Sequence, residues 1–147
     1  MVYQYKFDKI LHIKEREKDE AISVYNESVK NFEEAAEKLY EFLKKKEDLH
    51  AFQASKLTDG LPVHEIRHHQ HFLAGIEKTI EHYQKMVVNA RGKMVFYQEK
   101  LMEKNVEVKK YEKIKEKDFL SYKENLKYLE GRQMDDISIQ QFMNRGS

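Results

Sequence analysis

The stretch "SKLTDGLPVHE", residues 55–65, contains the turn dipeptide Asp59-Gly60 and Pro62, the only proline of the chain. Gly and Pro are the strongest local punctuators of helix. Pro62 suits the first turn of a new helix, where its missing N–H costs nothing. On both sides apolar residues recur at alternating steps of three and four. Before the turn they are Ile22, Tyr25, Val29, Phe32, Ala36, Leu39 and Leu43. After it, Ile66, Leu73, Ile80, Val87, Met94, Leu101 and Val108 form an unbroken apolar a series. The matching d series is His69, Ile76, Tyr83, Ala90, Tyr97, Lys104 and Tyr111. Heptads sustained over this length predict a coiled coil. A short connection between two such segments predicts antiparallel packing. The fold is therefore all-α: a single coiled-coil domain over 1–147, built as a long antiparallel two-helix hairpin. Helix 1 is placed at about 4–57, the turn at 58–62, helix 2 at about 63–130 and a tail at 131–147. At ~1.5 Å per residue the hairpin would be roughly 80 Å long.

Toward the open end the pattern weakens. From Val108 the apolar series resumes at Phe119, Tyr122, Leu126 and Leu129, a stutter that unwinds a supercoil locally. With the turn near residue 60, Phe7 falls opposite Ile114, so helix 2 overhangs helix 1. The unbroken charge run "KEREKDE", residues 14–20, offers nothing apolar to a seam. Pairing there is expected to be loose, or the side chains committed elsewhere. Gly75 and Gly92 fall at outward positions, where each costs helix propensity without opening a hole in the seam.

Composition agrees with slender, solvent-washed helices. Charged residues make up 36% of the 147 and hydrophobic ones 40%, a charged share above the usual quarter. The 27 basic and 26 acidic residues leave a net charge of only +1. They are interspersed, with no basic stripe, so nucleic acid is not an expected partner. There is no Cys, hence no disulfide or thiolate metal site. The N-terminal segment lacks the apolar stretch of a signal peptide, and no run approaches the ~18 apolar residues that span a bilayer. A cytoplasmic protein is expected.

His64-Glu65-Ile66-Arg67-His68 is a literal H-E-x-x-H, the zinc-peptidase signature. A peptidase also needs a third ligand, a cleft and a means of holding an extended substrate. Ile66 and His69 sit at a and d and face helix 1, and a two-helix seam has no cleft. The match is read as coincidental. His64, His68 and His71 share one face and could take up Zn²⁺ or Ni²⁺ adventitiously, but a polar helix start with His69 in the seam explains them as well. No catalytic residue, metal or cofactor is assigned.

Several segments carry a family likeness. "YQYKFDKILHIKEREKDEAISVY" (3–25), "HHQHFLAGIEKTIEHYQKMV" (68–87), "EKNVEVKKYEKIKEKDF" (103–119) and "MDDISIQQF" (134–142) occur in an order, and around a turn position, that resembles the FliJ family of flagellar type III export proteins, its Bacillus-like branch above all. The likeness covers essentially the whole chain. It implies a stalk-like coiled coil, similar to the central stalk of rotary ATPases, that is not itself an enzyme. The implied partners are the export ATPase hexamer, the cytoplasmic domain of the membrane export gate and export chaperones. The implied location is the cytoplasm, peripherally at the membrane-embedded apparatus. A generic scaffolding coiled coil is the alternative.

For the gate, the resemblance implies a stripe of Phe72, Ile76, Thr79 and Tyr83, faced by Phe42, Lys45 and Leu49. Ile76 and Tyr83 are also d positions, for which seam packing is the simpler role. Phe72 and Thr79 are g positions at the seam's edge. For the ATPase, the candidates are Phe7, Leu11, Lys14, Glu17, Lys113 and Lys117. The charged four read equally well as a solvated face, and Phe7 and Leu11 are suited to packing on Ile114 or Tyr111. Because Glu65 is assigned only to a first helical turn, where a carboxylate suits the dipole, Glu65→Gln should leave motility of a complemented flagellated strain unchanged. Loss of motility, together with stoichiometric zinc in the purified protein, would overturn that assignment.

Overall fold

The computed structural model describes residues 5–145. Helix α1 spans Asp8–Asp59 and helix α2 Val63–Arg145. They pack against each other as an antiparallel all-α hairpin. The link is Gly60-Leu61-Pro62. Gly60 adopts φ +84°, the left-handed conformation that ends a helix at least cost for Gly. Its N–H bonds to the Leu57 carbonyl at 3.3 Å, and the Pro62 carbonyl accepts from the N–H groups of Glu65 and Ile66 at 3.1 and 3.2 Å. Both helix ends at the turn thus find partners for backbone groups that would otherwise be orphaned.

Packing falls into two units, Glu20–Met102 and the paired segments Met1–Asp19 and Glu103–Ser147. In the first, every expected inward position of α2 from Ile66 to Leu101 is buried or half-buried, Ile76 and Ile80 most completely. On α1 the seam runs through Tyr25, Ser28, Phe32, Ala35, Leu39, Phe42, Lys46, Leu49 and Gln53. This corrects one expected position: Leu43 is 43% exposed, and Phe42 takes the seam instead. After Leu39 the seam steps three residues, not four. Ser28, absent from an apolar-only count, is also buried, and its hydroxyl donates to the Tyr25 carbonyl at 2.6 Å. A satisfied hydroxyl can occupy a seam position. The small side chains Ser28, Ala35 and Ala90 leave a groove of about 400 Å³, also lined by Met86 and Tyr97.

In the second unit, Tyr5, Leu11 and Val108 form a buried cluster with Phe7, Tyr111 and Ile114 packed on it. The Tyr5 hydroxyl donates to the Tyr111 carbonyl at 3.2 Å. Helix α1 starts at Asp8, not near residue 4. Tyr5–Phe7 form a turn, with Asp8 N–H on the Tyr5 carbonyl at 3.2 Å, and the turn folds Tyr5 back onto Val108. Residues 131–145, assigned to a tail from sequence, are helical. Apolar pattern fades there, but no proline interrupts the backbone, and helix formers carry it on. Part of the assigned tail, residues 146–147, lies outside the described residues.

The seam can be tested by a pair of substitutions. Ile80→Glu places an unpaired carboxylate in the most closed part of the seam and should cost about 3 kcal/mol, seen as a clear fall in melting temperature by circular dichroism. Leu43→Glu should change stability by about 0.5 kcal/mol or less. Equal effects would mean the α1 seam runs through Leu43 after all.

Candidate partner-binding surfaces

The residues proposed for the gate lie in the Glu20–Met102 unit and are held by different forces. Ile76 is 6% exposed, a core residue. Tyr83 is half-buried and its ring stacks on Phe42 at 5.5 Å, the planes 17° apart. The Lys45 ammonium sits 4.7 Å from the centre of the Phe42 ring, a cation–π contact. Leu49 is half-buried, and Thr79 donates its hydroxyl to the Gly75 carbonyl at 3.0 Å. Phe72 stands apart at 57% exposed. The structure therefore joins Phe42, Lys45 and Tyr83 into one stack. Phe72 is the large apolar side chain of the set that folding leaves largely in water.

The residues proposed for the ATPase lie in the other unit. Phe7 and Leu11 belong to the cluster around Val108. Lys113 and Lys117 are exposed. Lys14 and Glu17, from the charge run, join a cross-helix quartet with Lys104 and Glu107. Lys104 bonds Glu17 at 3.3 Å, Lys14 reaches Glu17 at 3.5 Å, and Lys14 lies 3.3 Å from Glu107. Glu107 Oε2 has no hydrogen bond of good geometry, yet it lies 3.3 Å from the Lys14 ammonium and 3.9 Å from that of Lys104. The nearby Glu107 carboxylate, opposed by desolvation and aided by Glu17, raises the Lys14 ammonium above its ordinary range. The Lys104 hydrogen bond, opposed by desolvation and aided by the charge of Lys14, holds the Glu17 carboxyl below its own. Burial, then the charges of Asp118, Tyr111 and Asp8, pushes the Tyr5 phenol up. Two residues of the charge run, Lys14 and Glu17, are thus committed to the opposite helix. The signal that could have revealed it is Lys104, a lysine at a d position.

Near the turn, His69 packs its ring 5.4 Å from Phe52. Among the described residues no three His, Asp or Glu side chains are grouped so as to hold a metal ion. No helix among them is long and apolar enough to cross a membrane.

Residues 3–147 match the family model described as "Flagellar FliJ protein". The chain belongs to the FliJ family. Consistent with this, it is 49% identical over 146 residues to the flagellar FliJ protein of Bacillus subtilis strain 168, covering 99% of both chains. Among solved structures, a protein of Chlamydia trachomatis described as a YscO homologue superposes with a TM-score of 0.54 at 22% identity, over 98% of this chain and 94% of the other. At that identity the likeness speaks for the fold alone. In this FliJ-family chain both candidate surfaces sit on the helix pair.

The quartet predicts a pH response with opposite signs at its two ends. Glu17 has a depressed folded pKa, so its contribution is complete above the ordinary value of 4.5 and is lost as pH falls through the folded value. Lys14 has a raised one, so its contribution is complete below the ordinary 10.5 and is lost as pH rises through the folded value. In melting curves at low salt, the gap between the native chain and Glu17→Gln should be widest near neutrality and should close below pH 4.5. A gap that persists unchanged at lower pH would show that Glu17 acts through packing.

Proposed function

We propose that this chain is a non-enzymatic component of the bacterial flagellar type III export apparatus. In this role it is a stalk-like coiled coil, cytoplasmic and peripheral to the membrane. It binds the export ATPase ring and the cytoplasmic domain of the membrane export gate and assists in handling export chaperones. The observation that carries this reading is the match to a flagellar FliJ protein across 99% of both chains. The geometry supports it, since a two-helix seam in which no described side chain is wholly buried offers surfaces and little else.

The assignment of surfaces follows from what folding leaves available. At the gate surface Phe72 is the contact residue, with Lys45 and the Phe42–Tyr83 stack beside it, while Ile76, Thr79 and Leu49 hold that surface in shape. At the ATPase surface Lys113 and Lys117 present charge. Lys14 and Glu17 position the helices, and Phe7 and Leu11 anchor the start of α1.

Phe72→Ala separates contact from packing. At 57% exposed, Phe72 gives up little area to folding, so the substitution should cost about 1 kcal/mol of stability or less. A buried aromatic anchor typically contributes about 2 kcal/mol or more to a protein contact. The expected result is normal helicity and melting, unchanged stimulation of the cognate ATPase, and binding to the isolated gate domain weakened to that extent by calorimetry. Full-strength binding with a normal melt would remove Phe72 from the gate surface. Failure of the native chain to bind either partner would remove the proposed function itself.

A further inference from the structure

Helix α2 is less amphipathic than α1, although its seam is the more regular of the two. Beyond its seam, α2 carries a second apolar line. Val88, Val95 and Met102 are 72%, 43% and 62% exposed and repeat at heptad spacing. At 3.6 residues per turn they lie on the side of α2 away from Val87, Ala90, Met94, Tyr97 and Leu101, which face α1. Gly92 falls within the same line. A Cβ there would meet nothing within 4 Å, so no contact inside the chain requires glycine at this costly mid-helix position. Absence of a side chain does let another helix approach closely.

Two charges flank the line. Arg91 and Glu99 are exposed, and neither has an ion-pair partner among the described residues. Their places define the occupant. Val95 is midway between Arg91 and Glu99, and also midway between Val88 and Met102. A two-fold axis at Val95 therefore sets Arg91 of each copy against Glu99 of the other, and Val88 against Met102. A parallel pairing in register would set Glu99 beside Glu99 and Arg91 beside Arg91, like charge on like.

We propose that α2 pairs antiparallel with α2 of a second copy of this chain, across the outer line Val88–Gly92–Val95–Met102, with reciprocal Arg91–Glu99 ion pairs. The pairing is isologous, as two-fold contacts are. So few apolar side chains cover much less than the ~800 Å² per partner of a stable interface. The dimer is thus weak and forms at high concentration.

The absence of native cysteine makes cross-linking clean. Val95→Cys in the full chain, in a glutathione redox buffer, should form a disulfide-linked dimer about 10-fold faster or more than Glu37→Cys on the exposed side of α1. When Val88→Cys and Met102→Cys chains are mixed, the heterodimer should dominate over either homodimer. In sedimentation velocity up to roughly 500 μM, Arg91→Glu should weaken association about 10-fold, and adding Glu99→Arg should restore it. Circular dichroism of each variant checks that the helices are intact. A native chain that stays monomeric over that range, Val88–Val88 linking faster than Val88–Met102, or a double reversal that fails to restore association would each overturn the proposal. So would a Val95→Cys chain that cross-links in cell extract only to a different protein, which would assign the line to that partner.

Discussion

Two helices alone can shelter only the strip where they touch, and everything else in this structure follows from that limit. No described side chain is wholly buried, and the best-covered residues retain a few percent of their exposure. Hydrophobic stabilisation is therefore spread thinly along the seam. Small local arrangements then carry unusual weight, among them the Tyr5 turn and the Phe42–Tyr83 stack.

How the charges are used distinguishes the two units. Between Glu20 and Met102 the seam is mostly apolar, with Lys46 in it reaching across to Glu77 at 3.6 Å. In the other unit charges of both helices are linked across the seam. Lys104 occupies an inward position and is tied to Glu17, while Asp8 takes Lys115 at 3.5 Å. Such partly exposed pairs contribute little individually and weaken in salt. Linked into a quartet, they leave the helix pair most sensitive to ionic conditions at that place.

Much of the architecture was legible from sequence because the heptad of α2 is regular and the turn is punctuated by Gly60 and Pro62. The opposition of Phe7 and Ile114 followed from counting back from the turn, and both pack on one cluster. What the letters concealed has physical causes. Ser28 escaped notice as a seam residue because a hydroxyl satisfied within its own helix looks polar and behaves as filler. Lys14 and Glu17 read equally well as a solvated face because their partners, Lys104 and Glu107, lie far along the chain. The end of α2 was obscure because an exposed helix needs no apolar pattern, only the absence of a breaker. Of the candidate surfaces, the burial of Ile76 was readable from its d position. The commitment of Lys14 and Glu17 was not, since a charge pair leaves no periodic trace.

The lysine in the seam has one more effect. In an antiparallel pair a long run of similar apolar layers permits the strands to slide by a heptad at modest cost. Sliding this pair by one heptad would carry Lys104 away from Glu17 and set it against Ile10 or Val24. Both are exposed, so its ammonium would stay in water and forfeit the Glu17 contact. Lys104 and Glu17 thus act as a key in a keyway: modest as an attraction, they add a preference for one alignment to that of the apolar layers. A stutter beyond Val108 loosens the apolar guidance, and a charge-coded stop beside it keeps the strands from settling one notch out of place.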